Sequence, residues 1–396
     1  MLTYTKYAPF LHKILPCQNL IIFQPDLCLM EGMEVKMKII HCSDLHLDSK
    51  METNLDKEKA RERKNEILIT FENMVSYAKE NDVKIIIIAG DLFDKKTITK
   101  KTKNSVKNAI NSNPEIDFIY LKGNHDEAGF IDEDEEKPQN LKMFNSSNWI
   151  TYEYDNIAIS GIEFGNLDNY EIYNSLMLEK NKINIVVMHG QESETDVKDK
   201  AEIINLKALK NKNIDYLALG HIHTYKQEKL DNRGIYCYSG CLEGRGFDEC
   251  GKKGFVLLNI EDNKITSEFI PFASRTLYEV NVDLTGAKEN SEIEQRITDK
   301  IKDIPQTSLV KLVLGGDVEI GEERDIDYLT KKFESNFYFL KIEDKPNIKI
   351  DFMKYQNDIS LKGEFIRLVI EQKDLTEEEK SKVISTGIRA LSGEDI

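Results

Sequence analysis

The sequence predicts an α/β fold with a smaller α+β domain at its C-terminal end. Three observations carry this. The runs "MKIIHCS", "VKIIIIAG" and "IDFIYLKG" are apolar almost throughout, as strands buried on both faces must be. Helical periodicity falls between them, so strands and helices alternate. After about residue 272 the pattern becomes strand, helix, strand, strand, helix, in a segment that holds no histidine.

The elements follow in order. "MKIIHCS" opens the first strand at Met37. Ile67, Leu68, Phe71, Val75 and Ala78 recur at helical spacing and predict a helix over 58–80. "VKIIIIAG" places four isoleucines before a glycine turn. A helix is expected over 101–112, then the strand "IDFIYLKG". The acidic run 132–138 reads as a solvated loop. Strands are expected at 156–160, 183–188, 214–219, 234–238 and 254–259, and a helix at 199–210. Thr376 followed by glutamates reads as a cap opening a last helix over 376–391. The domains expected are therefore 37–272 and 275–396, with residues 1–36 a poorly structured extension.

The chain has 396 residues, enough for two domains. A net charge of −16 argues against a protein that coats nucleic acid by charge alone, but not against a local basic groove. No apolar run reaches the roughly 18 to 20 residues of a membrane span. Cys237, Cys241 and Cys250 lie close together without zinc-finger spacing, so free thiols in a cytoplasmic protein are expected.

Five short stretches carry the chemistry: "CSDLHLD", "AGDLFD", "KGNHDE", "VVMHGQ" and "LGHIHT". Each follows an apolar strand, and together they deliver Asp44, His46, Asp91, Asn124, His125, Asp126, His189, His221 and His223. Singly, D-x-H, G-D or an isolated histidine would mean little. In this order and context the set is a site at the carboxyl ends of strands, where α/β sheets bind ligands. Gly90, Gly123 and Gly220 precede three of the polar groups and allow backbones to crowd together. His221 and His223, one residue apart, would point the same way on extended backbone. Imidazole, carboxylate and one amide oxygen suit manganese, iron or zinc. Asp91, alone in its motif, is the natural bridge between two ions.

The ordered motifs resemble the calcineurin-like metallophosphoesterases, whose fold is a β-sandwich flanked by helices. "MKIIHCSDLHLDS", "GDLFDKK", "KGNHDE", "GHIHTY" and "YSGCLEGRGFDECGKKGF" are most similar to SbcD-type DNA repair exonucleases of the YhaO-type branch. The resemblance spans roughly 37–272. It implies two divalent ions, by preference manganese. Asp44, His46, Asp91 and His223 would hold one, and Asp91, Asn124, His189 and His221 the other. A hydroxide between the ions would attack phosphorus. His125 would protonate the leaving oxygen, with Asp126 orienting its ring. Asp94 stands where some relatives carry histidine, and no catalytic role is expected of it.

The expected activity is DNA exonuclease or endonuclease; the alternative is a small-molecule nucleotide phosphodiesterase or pyrophosphatase. A non-catalytic scaffold on the same fold would be expected to lose ligands, and here each is present. Lys95, Lys96, Lys100 and Lys101 begin a lysine-rich run that could follow a phosphate backbone, and Arg245 on the "GRGFD" loop could approach the site. The resemblance also implies an SMC-like or AAA-type ATPase partner with a coiled coil, and a homodimer.

Overall fold

The structure is a computed structural model that describes residues 36–51, 55–94, 98–126, 136–165, 169–194, 202–319, 323–349 and 357–391. The expected extension at 1–36 lies outside them except for Lys36, and so does most of the acidic loop at 132–138.

Two six-stranded sheets face each other. The first runs β14 (Lys264–Pro271), β13 (Gly254–Glu261), β1 (Met37–Cys42), β2 (Val83–Ala89), β3 (Asp117–Leu121), β4 (Leu141–Met143). The second runs β11 (Lys226–Lys229), β12 (Ile235–Tyr238), β10 (Tyr216–Gly220), β7 (Ile183–His189), β6 (Ile157–Gly161), β5 (Ile150–Tyr154). β1 to β4 are mutually parallel, as are β12, β10, β7 and β6. The antiparallel pairings lie toward the sheet edges.

Alternation along the strands explains the apolar runs. Ile39, Ile85, Ile87 and Ile119 point between the sheets, where they meet Ile159, Ile185, Val187 and Ala218. Their neighbours Ile40, Ile86, Ile88 and Phe118 point outward, onto Phe71, Met74, Val106 and Ile110. Those residues belong to α1 (Lys57–Glu80) and α2 (Lys100–Asn111). Each isoleucine of "IIII" is thus buried, in alternation, by a different core.

The segment expected as a helix over 199–210 differs. Its described part is a short strand, β9 (Ile203–Asn205), followed by one helical turn, Leu206–Leu209. β9 pairs in parallel with β8 (Gln191–Ser193), just past the end of β7. Asn205 accepts a hydrogen bond from Ala208 N at 3.1 Å, so the chain caps a turn where periodicity alone suggested continuous helix.

Beyond residue 275 a three-stranded parallel sheet forms, β15 (Leu277–Asp283), β16 (Leu309–Gly315) and β18 (Phe339–Asp344), with helices in the connections. A short parallel pair, β17 (Asp317–Glu319) and β19 (Asn347–Lys349), follows from its ends. Val310, Leu312, Leu314, Ile297 and Phe333 make the core of the larger sheet. Leu277 and Leu309 instead join the core around α1, which ties this sheet to the sandwich. The last helix, Glu377–Leu391, is capped reciprocally: Glu379 N donates to Thr376 Oγ1 and Thr376 N to Glu379 Oε2. Among the described residues, no helix is long and apolar enough to cross a membrane.

Candidate metal centre

The centre lies where β1, β2 and β3 of one sheet and β7 and β10 of the other end. Loop backbones continue the pairing past the strand ends: Asp44 N donates to Gly90 O (3.0 Å) and His46 N to Asp91 O (3.0 Å). Across the sandwich, His189 Nδ1 meets Ala89 O at 2.9 Å. With Nδ1 as the donor there, Nε2 is the nitrogen that faces Asn124 Oδ1 (3.1 Å) and Asp91 Oδ2 (3.4 Å), and the one left for a metal.

The crowding is close enough to require glycine. A Cβ on Gly90, whose φ is +94°, would lie 2.1 Å from His189 Nδ1; one on Gly123 would lie 2.2 Å from Asp91 Oδ1. Four of the expected ligands also take left-handed backbone: Asp44 (φ 54°), His46 (46°), Asp91 (53°) and His221 (100°). Such conformations cost on the order of 1–3 kcal/mol each and persist only where surroundings impose them. The simple alternation expected for His221 and His223 is therefore overturned. β10 ends at Gly220 and His221 turns away from extended geometry. Its N–H donates to both Asp44 oxygens, at 3.0 and 3.1 Å, and its ring meets the His189 ring edge-on.

Ligand atoms of Asp44, His46 and His223 fall within 4.8 Å of one another, and so do those of Asp44, Asp91 and His189. Asp91 Oδ2 lies 3.4 Å from His189 Nε2 in its own group and 3.7 Å from His46 Nε2 in the other. The electrostatics ask for a cation. Asp44 and Asp91 are buried, and among the described residues no lysine or arginine forms an ion pair with either. Burial pushes the Asp91 carboxyl up, but contact with His189 and the charges of His189 and His46 outweigh it and hold it at about 2. Burial likewise opposes charge on His189, yet the carboxylates win and raise it to about 9. Negative potential strong enough to draw a proton onto a buried imidazole is what a divalent ion would relieve. The residues fit such ions.

Asn124 and His125 are exposed at the mouth of the centre. Asp126 is not placed as expected. Its carboxylate accepts from Leu92 N (3.2 Å), Phe93 N (2.8 Å) and Gly123 N (3.0 Å), so it braces the Asp91 loop rather than the His125 ring. Burial and the nearby Asp91 charge prevail over these amides and raise it to about 6. The carboxylate beside His125 Nδ1 is that of Asp94, at 3.8 Å, which also stands 3.2 Å from His46 Nδ1. Glu249, which nothing in the sequence singles out, lies 2.7 Å from His223 Nδ1. Arg245 faces Glu249 and Asp94 inside the protein.

Of the lysines expected to meet DNA, Lys95 and Lys96 lie outside the described residues. Lys100 is exposed on α2, and Lys101 Nζ donates to Asn65 Oδ1. Asp48, the last aspartate of "SDLHLD", accepts from Thr99 N (2.7 Å) and Thr102 Oγ1 (2.9 Å), which anchors the start of this basic helix beside the His46 loop.

Residues 37–225, the segment that carries Asp44 to His223, match the calcineurin-like phosphoesterase family. Its chemistry is metal-dependent hydrolysis of phosphoesters. Among individual proteins, the chain is similar to an uncharacterized metallophosphoesterase, YhaO of Bacillus subtilis, at 26% identity over 302 residues, covering 72% of this chain and 73% of that one. Two solved structures overlap it weakly. TT1561 of Thermus thermophilus (10% identity, TM-score 0.36) is matched over 59% of this chain and 99% of its own. Purple acid phosphatase PPD1 of yellow lupin (13%, TM-score 0.36) is matched over 61% and 52%.

Proposed function

We propose that this protein is a two-metal phosphodiesterase acting on DNA, an exonuclease or endonuclease of repair in the cytoplasm. The observation that carries the hydrolytic part is the convergence of two ligand groups that share Asp44, with Asp91 of the second group reaching to within 3.7 Å of His46 in the first. Asp44, His46, Asp91 and His223 would hold one ion, and Asp91, Asn124, His189 and His221 the other; manganese suits this donor set. Two such ions would supply an activated water and neutralise charge building on phosphate oxygens. The chain supplies the rest. His125, exposed at the mouth, would give a proton to the departing oxygen. Asp126 keeps the Asp91 loop in register. Support for DNA as substrate comes from the "GRGFDE" segment, the basic helix anchored beside the centre, and the similarity to SbcD-type nucleases. That similarity extends the proposal to an SMC-like or AAA-type ATPase partner and a homodimer.

One observation favours the alternative, a small nucleotide diester. A cavity of about 300 Å³ lies beside the centre, lined by Met51, Leu55, Phe247, Leu277 and Phe339 and bordered by Arg245. The test is hydrolysis of end-labelled duplex and hairpin DNA with Mn2+, alongside a chromogenic phosphodiester, with Asp91→Asn as control. Shortening of DNA only with Asp91 intact supports the nuclease. Cleavage of the small ester alone, even with an ATPase partner added, supports the alternative.

A further inference from the structure

Each imidazole of the first ligand group has a carboxylate behind it. His46 and His223 approach through Nε2, 3.1 Å apart. Behind His223, Nδ1 hydrogen-bonds to Glu249 Oε1 at 2.7 Å; behind His46, Nδ1 lies at ion-pair distance, 3.2 Å, from Asp94 Oδ1 without the angle of a hydrogen bond. One guanidinium joins the two carboxylates. Arg245 Nη2 and Nε donate to Glu249 Oε1 at 2.8 and 3.2 Å, and Nη1 donates to Asp94 Oδ1 at 3.3 Å. The backbone N–H of Arg245 donates to the other Glu249 oxygen at 2.7 Å.

We propose that Arg245 and Glu249 are positioning residues: Arg245 yokes Glu249 to Asp94, and the two carboxylates fix the tautomer and ring orientation of His223 and His46 toward one ion. This rests on the reading of the centre as a metal site.

The chemistry follows from the contacts. His223 Nδ1 cannot both accept from Arg245 Nη2, 3.3 Å away, and donate to Glu249. The shorter contact to a carboxylate decides, so Nδ1 carries the proton and Nε2 keeps a lone pair for metal. Burial sharpens the effect, because Glu249 is only 4% exposed and His46 1%. The backbone is fixed as well. His223 O accepts from Lys253 Nζ (2.6 Å) and Cys241 N (3.3 Å). Arginine is needed because its planar fork reaches two carboxylates at once, which a lysine ammonium on the same stem does not reproduce. The arrangement also accounts for Asp94: it backs His46 and anchors the yoke.

The alternative role for Arg245 is a grip on substrate phosphate, and the two roles separate in one experiment. Mn2+ binding to the full chain is measured by the electron paramagnetic resonance of free Mn2+. The proteins are wild type, Asp91→Asn, Glu249→Gln, Glu249→Leu, Arg245→Lys and Arg245→Met, each checked for folding by circular dichroism. The KM for the substrate found active is measured in parallel. With the yoke, Glu249→Leu and Arg245→Met weaken one of two Mn2+ sites by about 10- to 100-fold while KM at saturating Mn2+ stays put. Glu249→Gln keeps an acceptor for Nδ1–H and loses less, and Arg245→Lys fails to rescue. A smaller loss for Gln than for Leu is a pattern that general loosening of the fold would not give. Mn2+ affinities within about twofold of wild type in folded Glu249→Leu and Arg245→Met, or a change in KM alone, overturn the yoke. If wild type binds no Mn2+, or Asp91→Asn binds it as well as wild type, the metal reading itself fails.

Discussion

Arg63 is fully buried and carries a charge, so its removal has a calculable cost. Its Nη1 pairs with Glu66, and its Nη2 donates to Glu243 Oε2 and Gly244 O, both at 3.0 Å. Glu243, 2% exposed, also accepts from Thr70 Oγ1 (2.8 Å) and from Ser274 N. In Arg63→Met, Glu66 keeps Arg275 as a partner at 2.7 Å, but Glu243 becomes a buried carboxylate with no cation. Stranding one member of a buried pair costs about 3–5 kcal/mol. At about 2.1 cal/mol/K of unfolding entropy per residue, a chain this long shifts by about 1.2 °C per kcal/mol, so the melting temperature should fall by about 4 to 6 °C. The assay is thermal unfolding followed by calorimetry, with urea midpoints as a second measure. The second variant decides the mechanism. Arg63→Met with Glu243→Gln removes both charges and leaves an acceptor for Thr70 and Ser274. It should regain most of the loss, because neutralising a whole pair is often nearly neutral. A loss under about 1 kcal/mol in the single variant, or a double variant less stable than the single, refutes the reasoning.

Two further outcomes are expected. Gly123→Ala should cut turnover of a chromogenic phosphodiester about 100-fold, since its Cβ would stand 2.2 Å from Asp91 Oδ1 and 2.6 Å from Asp91 N and must displace a ligand; turnover within about threefold of wild type would show that the loop yields freely. His41 is fully buried, and burial lowers it to about 3 against a backbone hydrogen bond that opposes the shift. The unfolded chain therefore takes up this proton first. Its contribution is fully present above about pH 6.5 and is lost as pH falls toward 3, by at most about 5 kcal/mol. His41→Gln should flatten the stability-versus-pH curve in that window, and an unchanged slope would count against the assignment.

What could be read in the sequence, and what could not, divides along physical lines. β1, β2, β3, β7 and β10 were legible because each is buried on both faces, which leaves an uninterrupted apolar run. Asp44, His46, Asp91 and His189 were legible because each stands at or just past such a run. The return of β13 to pair antiparallel with β1 was not legible, since nothing local to "GFVLLNIE" names a partner more than 200 residues away. Glu249 was missed for a different reason. In "RGFDEC" it looks like any solvated acid, and only the fold buries it behind His223. The part given to Asp126 went wrong because adjacency in "NHDE" suggested contact with His125. A turn at Gly123 points that carboxylate back to the amides of Leu92 and Phe93 instead.

The aspartates of the centre do more than face ions. Asp44 accepts from His221 N and so ties the β1 loop to the β10 loop. Asp91 Oδ1 accepts from His125 N at 2.9 Å, and Asp126 returns the bond to Leu92 and Phe93, tying the β2 and β3 loops in both directions. Charge-assisted bonds to backbone amides are about twice as strong as neutral ones, and the strained residues Asp44, Asp91 and His221 are the ones they reach or come from. The strain and the bonds therefore belong to one design: the loops take left-handed turns to bring the carboxylates together, and the carboxylates hold the turns. Alanine at Asp44 or Asp91 would release both at once and could not tell a lost ligand from a lost loop. Asparagine keeps an acceptor for the amide while removing the charge that attracts the ion, which is why Asp91→Asn isolates the chemistry of the centre from its architecture.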